Sequence, residues 1–95
     1  MSFVFPVPSF SSGTRCSVLN VTTNSVLLSW PGVSGATYYA YNYFFGDVNV
    51  NGSTPVLVNG LRPATTYSFR VTVYGRSGQG NTIACSGTTG RSLVL

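Results

Sequence analysis

The sequence predicts an all-β chain folded as a seven-stranded antiparallel β-sandwich. Short runs rich in Val, Tyr, Phe and Thr alternate apolar with polar residues at period two. Turn-forming clusters of Gly, Pro, Asn and Ser separate these runs at close intervals. No stretch repeats at the 3.6-residue period of a helix. Ninety-five residues, 43% of them hydrophobic, suit one domain with one core. The chain divides into a lead-in or linker over residues 1–13, a sandwich over 14–89 and a tail over 90–95.

The lead-in is rich in Pro, Ser and Phe without a period, and its prolines disfavour a helix. Ser17 to Val21 is the first strand candidate, and Thr22-Thr23-Asn24-Ser25 supplies its turn. Val26-Leu27-Leu28-Ser29-Trp30 places Val26, Leu28 and Trp30 on one face, which predicts core. Pro31 to Gly35 breaks that strand, because proline lacks a donor and glycine accepts positive φ. Ala36 to Phe45 follows, dense in aromatics. Its alternation turns Tyr39, Tyr41 and Tyr43 inward and leaves Ala36, Tyr38, Ala40 and Asn42 on the more solvated face. Gly46-Asp47 reads as a tight turn, Val48 to Val50 as a short strand closed by Asn51-Gly52, and Pro55 to Val58 as the next strand. Tyr67 to Tyr74 alternates strictly, with Tyr67, Phe69, Val71 and Val73 facing one way. Gly75 to Asn81 reads as a flexible polar loop, and Thr82 to Gly87 as a last, weaker strand.

The net charge of +4 comes from five arginines against Asp47, with no Lys, Glu or His. The arginines are scattered, whereas nucleic-acid binders cluster their basic residues on one face, so no nucleic-acid role is expected. Acid/base pairs and activated nucleophiles have no partners in such a composition, and two cysteines without histidine make no zinc site. Neither catalysis nor a cofactor is expected. No apolar run approaches the roughly 18 residues of a membrane span, so insertion is not expected. Met1 to Pro8 is apolar, yet it lacks a basic n-region and two prolines interrupt it, unlike a signal peptide.

Three motifs in order carry a family resemblance: Asn24 to Trp30 with its tryptophan, Gly35-Ala36-Thr37-Tyr38-Tyr39 leading into the third strand, and Leu61-x-Pro63-x-Thr65-x-Tyr67. Over residues 14–89 the chain resembles a fibronectin type III domain, an immunoglobulin-like sandwich. Leu61 to Tyr67 matches the family's tyrosine corner, in which the hydroxyl reaches back to an upstream backbone group while the ring closes the end of the core. Trp30, Leu61, Pro63 and Tyr67 are thereby structural signatures. The resemblance implies an extracellular or cell-surface module, its targeting segment lying outside these residues. Such a module spaces, links or binds protein partners and neighbouring domains. The family's integrin-binding members carry Arg-Gly-Asp before the last strand; Gly75-Arg76-Ser77-Gly78 here has no acid, so that activity is not expected. In this type of sandwich the first and last strands lie near each other, which favours a Cys16–Cys85 disulfide worth about 4 kcal/mol in the chain-entropy model. The alternative is two small buried thiols.

Asn20-Val21-Thr22 and Asn51-Gly52-Ser53 both fit the N-glycosylation pattern, but about two matches are expected by chance from the Asn, Ser and Thr content, so they do not locate the protein. Asn51, in a loop, is the better acceptor. Arg76, Ser77 and Gln79 are candidates for a binding loop, against the plainer reading of a hairpin connection. Tyr38, Phe44, Phe45 and Tyr74 are the aromatics left over for a sugar surface. The functional expectation is a structural and adhesive module of a larger protein. A self-assembling homo-oligomeric subunit is the alternative, because only 6% of residues are charged and edge strands lack charged protection. An accessory carbohydrate-binding module of a secreted enzyme is the third reading.

Overall fold

A computed structural model describes residues 7–43, 48–52 and 54–91. The Gly46-Asp47 turn, Phe44, Phe45, the Ser53 position of the second sequon and the outermost termini lie outside the described residues. Seven strands follow in order: β1 (Ser17–Leu19), β2 (Val26–Ser29), β3 (Ala36–Asn42), β4 (Val48–Val50), β5 (Val56–Val58), β6 (Thr66–Gly75) and β7 (Gly78–Thr88). They form two antiparallel sheets, β1-β2-β5 and β4-β3-β6-β7.

Period-two alternation sends one set of side chains from each sheet into a shared core. Val26 and Leu28 on β2, with Val58 on β5, face Tyr41, Phe69, Val71, Val73 and Ile83 of the larger sheet. Phe69, Val71, Val73 and Leu28 are completely buried. Each such side chain contributes about 1.5–3 kcal/mol relative to exposure. Tyr39 and Tyr43 pack against the same cluster, so the tyrosine face of β3 is inward as its alternation predicts.

The opposite face of β3 is less solvated than expected. Ala40 is buried, lying in register between Asn49 of β4 and Thr72 of β6, whose longer side chains flank its methyl group. Tyr38 stacks flat on Tyr74, its cross-strand partner, with ring centroids 4.7 Å apart. Both rings are half-buried. That mutual packing accounts for two of the aromatics left over for a sugar surface.

The stretch expected as a polar loop after β6 is mostly strand. Only Arg76 and Ser77 form the turn, and Gly78 to Asn81 already belong to β7, with Gly75 opposite Gly78 and Tyr74 opposite Gln79. The glycines misled the sequence reading. Gly78, at φ 132°, supplies a turn-end conformation that side chains resist. Gly80 is glycine because a Cβ there would lie 1.9 Å from the Pro8 carbonyl oxygen. Glycine in a strand marks a close backbone approach, and the approaching segment is the lead-in.

The end of that lead-in packs on the sandwich. Pro8 is buried and Phe10 is a core residue, 4% exposed. Asn81 fastens Phe10 from both sides: its side-chain oxygen accepts the Phe10 N–H at 2.7 Å, and its side-chain nitrogen donates to the Phe10 carbonyl at 3.1 Å. The side-chain amide thus clasps the lead-in backbone near the start of β7.

Candidate functional site

The cysteines form the disulfide. Cys16, directly before β1, and Cys85 in β7 have Cα atoms 5.3 Å apart and close a sequence separation of 69 residues. The bridge joins an edge of one sheet to an edge of the other. Arg15, next to Cys16, lines a surface groove together with Ser68 and Arg70 of β6 and Ala84 and Ser86 of β7.

Leu61 to Tyr67 forms the tyrosine corner. The Tyr67 hydroxyl accepts the Arg62 backbone N–H at 2.8 Å, and its ring meets Tyr43 edge-on at 5.6 Å. Leu61 is buried and its N–H donates to the Asn24 carbonyl. Pro63 is exposed, and its carbonyl accepts the Thr65 hydroxyl at 2.9 Å. Thr89, which sequence reasoning missed, ties the corner to the end of the last strand. It is 3% exposed, its hydroxyl accepts the Thr65 N–H and donates to the Arg62 carbonyl, and its own N–H donates to the Thr65 carbonyl. Gly90 continues the seam by donating to Thr22 and accepting from Ala64. The only sequence signal for Thr89 was a hydroxyl on the inward register of the last strand.

The opposite pole is closed by aromatics. Trp30 is 4% exposed and meets Tyr39 edge-on at 5.5 Å; Phe10 lies 6.0 Å from the same tyrosine. The Tyr39 hydroxyl accepts the Val33 N–H at 2.9 Å, bracing the Pro31 to Gly35 connection. Among the described residues the Trp30 indole N–H has no hydrogen-bond partner.

The remaining candidates are dispersed. Asn20 is exposed just past β1, at φ 41°, and Asn51 is exposed past β4. Arg76 and Ser77 occupy the exposed β6–β7 turn, and Gln79 is an exposed strand residue next to it. No group of three or more metal-ligating side chains occurs among the described residues. No helix there is long and apolar enough to cross a membrane. Burial raises the Tyr41 hydroxyl above its ordinary value, and neighbouring Tyr43 adds to the shift.

The family model of the fibronectin type III domain matches residues 11–86. The chain is 36% identical over 85 residues to Protein turtle of Drosophila melanogaster, covering 76% of this chain and 5% of that protein. It is 35% identical over 85 residues to Fibronectin type III domain-containing protein 2 of Margaritifera margaritifera, covering 75% of this chain and 14% of that one. The chain therefore spans a small part of the relatives it matches. Among solved structures, FN3tt superposes with a TM-score of 0.76 at 22% identity, over 93% of this chain and all of that one, a likeness of fold.

Proposed function

The chain belongs to the fibronectin type III family, and we propose that it serves as a non-catalytic module of a larger extracellular or cell-surface protein, spacing its neighbours and contacting protein partners. The family is generally non-catalytic, and its domains commonly mediate protein–protein interactions within larger proteins. The observation that carries the extracellular reading is the Cys16–Cys85 bridge joining the two sheets, since disulfides persist in oxidising compartments. Its small coverage of both relatives supports the reading as one module among several. The exposed β6–β7 turn with Arg76, Ser77 and neighbouring Gln79 is the contact point this reading favours, and Asn51 the favoured glycan acceptor.

A monomeric state is part of the proposal. Edge strands β1, β4 and β5 have three residues each, too short to template a neighbour, and the long edge of β7 is flanked by Pro8, Phe10 and Val18. Shortness and cover do here what charge does in other sheets.

Two measurements test this. Light scattering over a concentration series is expected to return one chain's mass; a persistent dimer or filament would favour the self-assembling alternative. Alkylating the protein as it is isolated from its natural source is expected to leave both cysteines unlabelled until reduction. Free thiols would overturn the extracellular placement.

A further inference from the structure

We propose that the outer surface of β6 and β7, where Arg15 and Arg70 flank one groove beside the disulfide, binds a linear polysaccharide carrying sulfate or carboxylate groups. The groove encloses about 620 Å³. Alternation places Ser68 and Arg70 on one face of β6, directly opposite Ser86 and Ala84 of β7, and all four are exposed while Phe69 between them is buried. The short side chains of Ala84 and Ser86 keep the floor low. Arg15 comes from the other sheet's edge and stands by this floor because its neighbour Cys16 is bonded to Cys85. The disulfide therefore assembles a cationic pair from positions 55 residues apart in sequence (70 − 15).

Neither guanidinium makes a hydrogen bond or ion pair among the described residues, and Asp47 is the only acidic side chain in the sequence. Two uncompensated cations over one groove set up a positive field that a polyanion relieves. The planar fork of arginine matches sulfate and carboxylate in a bidentate way. Ser68 and Ser86 add hydroxyls that pair with those of a sugar ring.

The surroundings favour a sugar chain over a peptide or a nucleic acid. A peptide binding by strand addition pairs with backbone groups in the plane of the β7 edge, whereas this groove lies over the outward side chains of β6 and β7. The groove offers no exposed aromatic on which bases would stack, Phe69 being fully buried. This assignment stands apart from the protein-partner role, whose favoured contact is the β6–β7 turn.

The test uses the full 95-residue chain with heparin, polygalacturonate, poly-glutamate and single-stranded DNA as probes, titrated at low and physiological salt. Two double variants are compared, Arg15→Ser/Arg70→Ser and Arg62→Ser/Arg76→Ser, each lowering the charge of +4 by two. All four arginines are exposed, so unchanged melting temperatures are expected and serve as the folding control. The parent chain is expected to bind heparin, polygalacturonate or both. The groove double should weaken that binding about tenfold or more, and the control double by less than about threefold. Equal losses in the two doubles would reduce the effect to net charge and overturn the site. Binding to poly-glutamate or DNA as tight as to the sugars would overturn the ligand class, and failure to bind either sugar polymer would overturn the proposal outright.

Discussion

The two poles of the sandwich use the same fastener in different settings. At one, Tyr67 accepts the N–H of Arg62, five residues upstream; at the other, Tyr39 accepts the N–H of Val33, six residues upstream. The Tyr67 pole is then sewn by hydrogen bonds from Thr89 and Gly90, and its anchored N–H belongs to an exposed residue. The Tyr39 pole is instead filled by Trp30 and by Phe10 from the lead-in, and its anchored N–H belongs to a half-buried residue. A hydrogen bond that water can replace contributes little, whereas one sealed from water is costly to lose. The second pole therefore depends more on packing, and on a segment outside the matched family residues.

The largest test of that contrast is Phe10→Ala, expected to lower stability by about 3–5 kcal/mol in chemical denaturation. A loss below about 1 kcal/mol would mean that the lead-in merely rests on the pole. Replacing Cys16 and Cys85 together by serine is expected to cost about 4 kcal/mol through the unfolded chain. Since the bridge lies between the poles, amide exchange should accelerate at both; acceleration at one alone would break their equivalence. Next, Tyr39→Phe should cost about 1–2 kcal/mol and Tyr67→Phe about 1 kcal/mol or less, and the reverse order would refute the role given to water access. The smallest effect concerns Tyr41, which lies on β3 between Tyr39 and Tyr43. Its folded-state pKa is raised, so above pH 10 the unfolded chain releases this proton while the folded one keeps it, and stability falls as pH rises. Melting temperature should stay nearly level from about pH 5 to 9, where a chain without His, Lys or Glu has little to titrate, and then decline. A midpoint that rises above pH 10 would contradict the buried, neutral tyrosine.

What the sequence disclosed and what it hid follow the same division. Trp30, the inward tyrosines and Leu61 to Tyr67 were legible because period and spacing are local properties of the chain. The tyrosine corner needs only residues a few positions apart. Phe10 was hidden because its partner Asn81 lies 71 residues away, and a phenylalanine among prolines carries no period. Gly80 pointed to a loop because glycine permits turns, whereas here it makes room for Pro8. Arg15 and Arg70 looked scattered for the same reason: the disulfide, and no run of sequence, sets them over one groove. Cys16 and Cys85 were read as neighbours only through the family resemblance, and the structure joins them.

The position of the disulfide also has a mechanical meaning. Cys16 and Cys85 lie near the two ends of the matched domain in sequence but their Cα atoms are 5.3 Å apart in space, so tension applied through the flanking chain passes from residue 16 to residue 85 through the sulfur bridge. The 69-residue span between them is shielded from load. Without the bridge that span would yield roughly 230–250 Å of slack once pulled open. With it, the stretch from residue 16 to residue 85 keeps a fixed length under load, the 5.3 Å between the two Cα atoms.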